Sequence, residues 1–495
     1  MYYPSLKEFL NLAKRGNVIP VYKEINADLD TPVSSFLKIK KDDYAFLLES
    51  VEGQEKIARY SFLGSNPSLV FKSKGKNIQL IYPHRKSSRH FVTETTPLDE
   101  IKKIMQDFKS VTVKGLPRFY GGLVGFMGYD TVRFFEKIPD NNPDDLKLPD
   151  VIFILTDTIL IFDHVNNTIK IVTNIILPKG KRRLSKIAKK RIYRAAIKKI
   201  DSIQRGFNKP IIEKKEKDKR RVLKVLSNFK KSEFQNIVRK AKAYIKKGDI
   251  IQVVLSQRFK VKIRKTPFNI YRALRSLNPS PYMYFLKLKD LTLIGSSPEM
   301  LVRCEEGLVQ TRPIAGTRPR ADTEEGDERL KNELLNDKKE KAEHLMLVDL
   351  GRNDLGRVCQ TGSVRVNEFM SIEKYSHVMH LVSEVRGRLD HKRYDVYEVL
   401  RATFPAGTVS GSPKIRAMEI IDELENLRRG PYAGCVGYFS FSHNMDTCIT
   451  IRTIIIKGDS AYIQAGAGIV ADSIPEKEYL ESVNKAKALI EAISN

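Results

Sequence analysis

Short apolar runs, each the length of a buried β-strand, recur through most of this chain of 495 residues. Before residue 179 they are Tyr44–Glu49, Leu69–Lys72, Ile78–Tyr82, Val151–Asp163 and Ile169–Ile176. After residue 224 they alternate with long helical patterns and include Ile250–Leu255, Leu291–Gly295, Gly434–Phe441 and Thr447–Ile456. The glycines at 121, 122, 125 and 128 lack the spacing of a dinucleotide site and predict a strand where backbones approach closely. The whole pattern predicts an α+β protein.

Residues 179–224 form a basic segment that divides the chain. They hold 20 Lys and Arg against 4 Asp and Glu, so they contribute +16 of the total net charge of +28. Residues 183–203 carry apolar side chains at helical spacing, namely Leu184, Ile187, Ala188, Ile192, Ala195, Ala196 and Ile200. This spacing predicts an amphipathic helix with a basic outer face, and the polar residues 205–224 predict a linker. We therefore divide the chain into residues 1–178, 179–224 and 225–495.

The same segment raises the question of nucleic-acid binding. An arm that binds RNA interleaves basic residues with aromatic side chains, and this segment offers only Tyr193 and Phe207. A solvated basic helix and linker is therefore the favoured interpretation. A basic RNA-associated protein remains the alternative from a different functional class.

Several sequence features also bear on the compartment of the protein. The chain has no run of 18 apolar residues and no secretory signal at its N-terminus, which argues against a membrane protein. The four cysteines (Cys304, Cys359, Cys435 and Cys448) form no Cys-x-x-Cys pair. Their separation argues for the cytoplasm and against structural zinc.

Two pairs of glutamates have the spacing of one helix face. Glu340 and Glu343 are three residues apart, and Glu478 and Glu481 repeat this spacing near the C-terminus. Two such pairs on two helices can meet around one hard divalent cation, with water completing its shell. Each pair by itself is more often ordinary exposed helix surface.

Nine motifs occur in the order found in one known family. They are Gly248–Arg258, Gly295–Glu299, Thr311–Arg320, Glu340–Asp354, Ser376–Ser383, Phe404–Lys414, Ile451–Thr453, Gln464–Gly468 and Pro475–Ala486. On these motifs the chain resembles the anthranilate synthase component I family of chorismate-utilising enzymes over nearly its full length. The resemblance implies the chorismate-binding fold, in which two large antiparallel β-sheets pack as a sandwich with helices outside.

The resemblance also implies a site for chorismate and Mg²⁺. Glu343 and Glu481 would hold the ion, with Glu340 and Glu478 in support. The substrate carboxylate and ring would be bound by Gln252, Thr317, Tyr432, Arg452, Gly466, Ala467 and Gly468. Glu299 would protonate the departing hydroxyl, His380 would assist removal of the ring proton, and Thr408 would position the substrate.

Two positions select a branch of this family. Relatives that add water to chorismate carry a lysine base where this chain has Gln252, and relatives that make 4-amino-4-deoxychorismate carry a nucleophilic lysine where it has Ala315. The absence of both amines favours direct attack by ammonia and therefore anthranilate as the product. Aminodeoxychorismate synthase and isochorismate or salicylate synthase, which share the fold, are the alternatives.

The resemblance further implies a partner and an inhibitor. No cysteine lies in a Gly-x-Cys-x-Gly nucleophile turn, so ammonia from glutamine would come from a separate glutamine amidotransferase subunit (component II) in a hetero-oligomer. Two segments resemble the halves of a feedback site for L-tryptophan. Their residues are Glu49, Ser50, Asn278, Pro279, Ser280, Pro281, Tyr282 and Met283.

Overall fold

The computed structural model describes residues 1–39, 43–50, 59–178, 184–211, 223–375 and 378–494. The ends of the basic segment, 179–183 and most of the predicted linker at 212–222, lie outside the described residues, as do Ser376 and His377 of one motif.

The strands are, in chain order, β1 (Tyr2–Tyr3), β2 (Val18–Asn26), β3 (Tyr44–Glu49), β4 (Tyr60–Ser65), β5 (Leu69–Lys74), β6 (Asn77–Tyr82), β7 (Ser87–Val92), β8 (Gly122–Met127), β9 (Val151–Thr156), β10 (Thr158–Asp163), β11 (Thr168–Ile176), β12 (Val225–Ser227), β13 (Gln252–Lys262), β14 (Tyr282–Leu288), β15 (Leu291–Ser297), β16 (Met300–Glu305), β17 (Leu308–Thr311), β18 (Ile314–Pro319), β19 (Arg365–Lys374), β20 (Val378–Arg388), β21 (Gly411–Ser412), β22 (Cys435–Ser440), β23 (Met445–Ile449), β24 (Thr453–Lys457) and β25 (Ser460–Ile469).

The α-helices are α1 (Leu6–Leu12), α2 (Pro32–Ile39), α3 (Pro97–Met105), α4 (Lys186–Phe207), α5 (Lys231–Lys247), α6 (Pro267–Leu277), α7 (Glu324–Asn336), α8 (Lys338–Gly356), α9 (Val396–Thr403), α10 (Gly407–Ser410), α11 (Lys414–Leu424) and α12 (Pro475–Ser494). Within the described ranges, no helix combines the length and apolarity needed to cross a membrane.

The strands form two large antiparallel sheets, which confirms the predicted fold. The first sheet runs β1-β2-β11-β10-β4-β3-β14-β15-β24-β25-β13-β12, with β21 beside β13. The second runs β18-β20-β17-β16-β23-β22-β8-β9-β5-β6-β7, with β19 beside β20. Strands from before and after the basic segment pair within each sheet, as β3 with β14 and β8 with β22. The two parts of the chain therefore share their sheets.

Two of the apolar runs predicted as single strands each contribute to both sheets. The run Val151–Asp163 divides at Asp157, so that β9 lies in the second sheet and β10 in the first. The run Thr447–Ile456 divides at residues 450–452, between β23 and β24. A continuous apolar run contains no signal for such a crossing, because both halves are buried.

Apolar side chains fill the space between the sheets and beneath the helices. The largest core cluster joins the inner faces of both sheets, with Phe62 of the first close to Tyr438 of the second. A second cluster lies between the first sheet and helices that include α4, α6 and α12. A third packs α5 and α11 against β13 and β25. This places α12 and α11 beside the strands that carry the candidate site.

The glycine-rich strand β8 confirms the predicted close approach of backbones. A Cβ atom at Gly125 would lie 1.9 Å from the carbonyl oxygen of Ile152, and one at Gly122 would lie 2.1 Å from that of Phe439. Gly122 also has φ +138, which L side chains rarely adopt. Glycine at these positions lets β8 pair with β9 and β22 in the middle of the second sheet.

The predicted basic helix is present as α4. It begins after Ser185, whose hydroxyl accepts a hydrogen bond from the amide of Ala188 at 3.1 Å. Tyr193, Ala196 and Ile200 are buried, whereas Ile187, predicted on the apolar face, is 80% exposed. The buried face of α4 therefore differs from the predicted one. It includes Tyr193, which the pattern of aliphatic residues left out, and it excludes Ile187.

Candidate active site

A cavity of about 550 Å³ opens where the carboxylate-bearing helices meet the strands. Its walls come from β13, β18 and β25, from α8, α10 and α12, and from the segments that carry Glu299 and Arg452. The predicted residues that line it are Gln252, Glu299, Thr317, Glu340, Glu343, Thr408, Tyr432, Arg452, Gly466, Gly468, Glu478 and Glu481. Residues as far as 229 positions apart along the chain therefore meet in one volume, which has the size of an ordinary small-molecule site.

The two glutamate pairs lie on α8 and α12, as predicted. Glu340 is in the first turn of α8, which has Asp337 as its N-cap, and Glu478 is in the first turn of α12. Burial, followed by the charges of Glu343 and Asp337, raises the pKa of Glu340. Burial also raises the pKa of Glu478, and the charge of Glu481 adds to this effect. The cavity thus concentrates negative charge that a bound cation would neutralise.

The donor set fits an ion that takes few ligands from the protein. Among the described residues, no group of three or more His, Cys, Asp or Glu side chains is arranged to hold a metal ion alone. Mg²⁺ often binds through one or two carboxylates and completes its octahedron with water and substrate oxygens. Glu343 and Glu481 can supply these carboxylates.

Neighbouring side chains hold two of the carboxylates in place. The amide of Gln252 donates to Oε1 of Glu343 at 3.0 Å. Lys485 pairs with Oε1 of Glu481 at 2.7 Å and donates to the carbonyl of Gly466 at 3.1 Å. A Cβ atom at Gly468 would lie 2.4 Å from Nε2 of Gln252, so a side chain there would displace the amide that donates to Glu343.

Glu299 follows β15 and is a buried carboxylic acid. Burial raises its pKa to about 8, and the hydroxyl of Thr408 and the charge of Lys485 offset only part of this effect. The side chain is therefore protonated at neutral pH and can donate a proton to a bound substrate. The backbone at Glu299 is fixed by the amide of Ile449, which donates to its carbonyl at 3.1 Å.

Arg452 occupies the crossing between the two sheets. Its backbone has φ 50, an uncommon conformation for a residue with a side chain, and it is flanked by β23 and β24. Its guanidinium donates to the carbonyl of Lys485 at 3.2 Å. Tyr432, which is 5% exposed, lines the same cavity. A guanidinium beside a phenol can bind one carboxylate of a substrate.

The glycines of β25 present backbone groups to the cavity. Because the carbonyl of Gly466 faces Lys485, the amide of Gly466 faces the same side, and Gly468 repeats this direction two residues later. Ala467 lies between these two glycines, and its side chain points to the other face of the strand. It pairs with Leu255 of β13 and belongs to the core cluster beneath α5 and α11. Ala467 is therefore not in the cavity lining, unlike its two neighbours.

His380 also lies outside the lining but contacts it. Its Nδ1 is 3.1 Å from the carbonyl of Gly316 and 3.0 Å from the hydroxyl of Thr317. A carbonyl only accepts, so Nδ1 carries the proton and Nε2 is the basic nitrogen. Burial lowers the pKa of His380, which keeps this nitrogen unprotonated at neutral pH.

Some lining residues had no role assigned from the sequence. Lys339, Gln464 and Lys485 all face the cavity. Lys485 could have been found, because it follows Glu481 by four residues and so lies on the same helix face. Gln464 could also have been found, because it precedes Gly466 by two residues and so lies on the same face of the strand.

A second, smaller cavity lies between the two sheets. Its volume is about 60 Å³, and its walls include Glu49, Ser50, Pro281, Tyr282 and Met283, all of which were predicted for the inhibitor. Asn278, Pro279 and Ser280 are not in its lining. Instead Asn278 donates to Ser296 at 2.9 Å, and Ser296 donates to Ser280 at 2.9 Å, which fixes the turn before β14.

The second cavity also contains charged residues that the sequence did not indicate. Arg118 and Arg303 both pair with Asp446, at 3.4 and 2.8 Å. The hydroxyl of Tyr282 donates to Asp446 at 3.0 Å. By contrast, the hydroxyl of Ser50 is buried and has no hydrogen-bond partner among the described residues. An unsatisfied hydroxyl in a cavity wall is available to a ligand.

Comparison with known proteins places this geometry in a family. A sequence profile of the chorismate binding enzymes matches residues 43–491. The chain is 53% identical to anthranilate synthase component 1 of Aquifex aeolicus, over 99% of this chain and 97% of that protein. It is 51% identical to the protein of the same name from Acetivibrio thermocellus, over 100% and 99% of the two chains.

A solved structure agrees with these relatives. The crystal structure of anthranilate synthase component I from Streptococcus pneumoniae TIGR4 superimposes with a TM-score of 0.75 and 37% sequence identity. The match covers 94% of this chain and 98% of that one.

Proposed function

The chain belongs to the family of chorismate binding enzymes, and on this premise we propose that it converts chorismate and ammonia to anthranilate and pyruvate. The relatives that match it over nearly its full length are named anthranilate synthase component 1. The observation that carries the choice of product is the identity of two residues in the cavity wall. Gln252 and Ala315 both line the cavity, and neither has an amine that could act as a base or form a covalent adduct.

The side chains of the cavity suit the two steps of this reaction. Protonated Glu299 donates to the C4 hydroxyl as it leaves, while ammonia forms a bond to C2. His380, with its basic Nε2, assists removal of the proton from C2, and loss of pyruvate then makes the ring aromatic. Thr317 and Thr408 position the ring. Arg452, Tyr432 and the amides of β25 bind a carboxylate.

We propose Mg²⁺ as the cofactor, held by Glu343 and Glu481 with Glu340 and Glu478 nearby. When bound, the ion supplies Lewis-acid stabilisation of a substrate carboxylate. The like-charge crowding of the four carboxylates supports a cation at this position.

The source of ammonia is proposed to be a glutamine amidotransferase subunit, component II, in a hetero-oligomer with this chain. The four cysteines are all free and buried, so none offers an exposed thiolate for glutamine hydrolysis. Free thiols also suit the cytoplasm, which we propose as the compartment.

The second cavity is proposed as a site for L-tryptophan. The unpaired hydroxyl of Ser50 can form a hydrogen bond with the ligand, and Tyr282 and Met283 offer apolar walls. Glu49 already accepts hydrogen bonds from Tyr271 and Arg275, so it would meet the ligand ammonium as a shared acceptor. The volume is well below the roughly 300–1,000 Å³ of ordinary ligand sites, so binding requires the walls to move apart. Such a movement gives tryptophan a means to change the other cavity.

The proposal is tested by incubating the purified protein with chorismate, Mg²⁺ and ammonium at mildly alkaline pH. We expect anthranilate fluorescence and an equal amount of pyruvate. Chromatography that instead shows isochorismate or 4-amino-4-deoxychorismate as the main end product would overturn the assignment. Gln252→Lys should introduce some addition of water, because an amine of lowered pKa can act as the base.

A further inference from the structure

A fully buried ion pair lies behind one wall of the active-site cavity. Arg429 and Glu425 lie in the segment between α11 and β22, and their side chains are 1% and 3% exposed. The guanidinium donates twice to the carboxylate, from Nε at 3.0 Å and from Nη2 at 2.6 Å. Burial disfavours the charge, but the nearby carboxylate of Glu425 raises the pKa of Arg429 above its usual value. The guanidinium therefore keeps its charge.

The remaining donors of Arg429 go to backbone atoms of cavity residues. Nη1 donates to the carbonyl of Val409 at 2.7 Å, and Nη2 donates to that of Val254 at 2.7 Å. Both valines line the cavity, and Val409 follows Thr408. One rigid guanidinium thus fixes β13 relative to α10.

The guanidinium lies over two aromatic rings. Its centre is 5.5 Å from the ring of Tyr432, a cavity residue, and 4.8 Å from the ring of Tyr129. The amide of Tyr129 in turn donates to the carbonyl of Gly430 at 2.8 Å. Arg429 therefore also packs against the ring of Tyr432.

Glu425 extends the same network to a fourth cavity residue. Its Oε1 accepts from the amide and the hydroxyl of Ser256, each at 2.8 Å. The hydroxyl of Ser256 accepts from Nε2 of Gln464 at 2.8 Å, and Gln464 lines the cavity. Because Oε1 requires the Ser256 hydroxyl as a donor, that hydroxyl has only acceptor capacity left for Gln464. The orientation of the Gln464 amide is thereby fixed, with its oxygen as the free end.

We propose that the Arg429–Glu425 pair positions the substrate-binding wall formed by Val254, Thr408, Tyr432 and Gln464. Neither side chain lines the cavity, so the pair acts through these residues and not on chorismate. A buried ion pair adds little net stability compared with apolar residues of the same volume, but it fixes the direction of every bond it makes. This inference rests on the proposed function, since Thr408 and Tyr432 are among the groups assigned to chorismate.

Three substitutions test the network at increasing severity. Ser256→Ala removes the hydroxyl that links Glu425 to Gln464 and retains the ion pair and the amide bond of Ser256 to Glu425. Glu425→Gln keeps the shape of the side chain but removes its charge. Arg429→Lys keeps the charge but removes the planar guanidinium and its fixed set of donors. Asp163→Asn is the matched control: Asp163 is a buried carboxylate paired with Arg59 at 2.9 Å, and its bonded partners do not line the cavity.

The decisive readout is KM for chorismate, measured with saturating Mg²⁺ and ammonium beside thermal melting. A merely structural role reduces the fraction of folded enzyme, which lowers apparent kcat and leaves KM unchanged. We expect KM to rise about five-fold in Ser256→Ala, as for loss of one hydrogen bond. In Glu425→Gln and Arg429→Lys, kcat/KM should fall by about 10- to 100-fold, with a raised KM. Asp163→Asn should keep the parental KM even where its melting temperature falls.

A double-mutant cycle supplies the second criterion. Ser256→Ala should change KM little in a Gln464→Ala background, because its effect passes through that side chain. If KM is parental in all folded variants, or if the effects of Ser256 and Gln464 are additive, the positioning inference is overturned. If Arg429→Lys does not fold, Ser256→Ala and Glu425→Gln decide the matter. Failure of the parent enzyme to form anthranilate would instead refute the proposed function.

Discussion

At the scale of single residues, burial sets the protonation states on which the chemistry depends. Glu299 is kept protonated because its surroundings replace water with few groups that stabilise a negative charge. Burial also keeps His380 neutral, because it disfavours the positive charge of a protonated imidazole. An acid and a base can therefore coexist at neutral pH, since one environment shifts their pKa values in opposite directions.

The first prediction concerns Glu299 and catalysis. Glu299→Gln removes the proton donor and should lower kcat by about 10²- to 10⁴-fold. In the parent, turnover should fall as pH rises through about 8, because the acid form is lost there. The measurement is a pH profile of anthranilate formation at saturating substrate. A variant with parental kcat would remove Glu299 from this role.

The second prediction concerns Glu299 and stability. The pKa of Glu299 is higher in the folded than in the unfolded protein. The protonated side chain therefore contributes most to stability below pH 4.5, and this contribution is lost as the pH rises to about 8. At pH 9, Glu299→Gln should therefore be more stable than the parent by a few kcal/mol (~1.4 per pKa unit). Thermal melts at pH 5 and pH 9 test this, with Glu306→Gln at an exposed turn as the control. An equal difference at both pH values would contradict it.

The third prediction concerns the carboxylates. Glu343→Gln and Glu481→Gln should each weaken Mg²⁺ binding by at least about 10-fold and abolish most activity while the protein stays folded. Titration calorimetry with Mg²⁺ in the presence of chorismate gives the affinity directly, and chelation of the parent should reversibly stop turnover. Normal activity at limiting Mg²⁺ would exclude the altered residue from the site.

At the scale of elements, α4 shows how a strongly charged segment can have a structural role. Tyr193, Ala196 and Ile200 pack into the cluster over the first sheet, and the hydroxyl of Tyr193 donates to the carbonyl of Pro4 at 2.8 Å. The basic residues occupy the opposite face. None of them lines the active-site cavity.

The fourth prediction separates these two faces. Arg191→Glu, Arg194→Glu and Lys198→Glu together should leave chorismate turnover unchanged, because all three side chains are exposed. Ile200→Ala should lower the free energy of unfolding by about 2–5 kcal/mol, since Ile200 is fully buried. The parent should bind RNA only weakly and lose that binding steeply with salt. Salt-resistant binding to a particular RNA sequence would revive the RNA-associated alternative.

At the scale of the whole molecule, the two cavities are joined through the first sheet. Met283 of β14, in the second cavity, pairs with Ser296 of β15, and β15 leads directly to Glu299. Ser297 donates to the carbonyl of Ile449 at 2.7 Å, which ties this strand end to β23. A shift of β14 can therefore reach Glu299, the proposed general acid, and the two proposed sites can be coupled in free energy.

The fifth prediction tests this coupling. Ser50→Phe should fill the small cavity and raise the tryptophan concentration for half inhibition by at least about 10-fold, with KM for chorismate unchanged. Ser50→Ala, which removes only the hydroxyl, should have a smaller effect of about five-fold. Inhibition curves that match the parent, or a parent that tryptophan does not inhibit, would refute the regulatory site and leave the catalytic proposal intact.

The sequence by itself determined the family and the sandwich of antiparallel sheets, and it predicted the residue types of the candidate active site. Local signals were sufficient for these features: the glutamate spacing places two carboxylates on one face of α8 and of α12, and ordered motifs identify their relatives. Gln252 and Ala315 indicate the product because the presence or absence of an amine is a property of the residue alone.

Only the tertiary structure decided how these residues meet. It divides Val151–Asp163 and Thr447–Ile456 between two sheets, and Arg452 lies in the second crossing. It brings Gln252 to Glu343 and Arg429 to Val254 across 91 and 175 positions. It also turns Ala467 away from the cavity and excludes Asn278, Pro279 and Ser280 from the second one. The physical reason is that apolar periodicity reports whether a side chain is buried, whereas its neighbours depend on which strands pair and where the chain crosses between sheets.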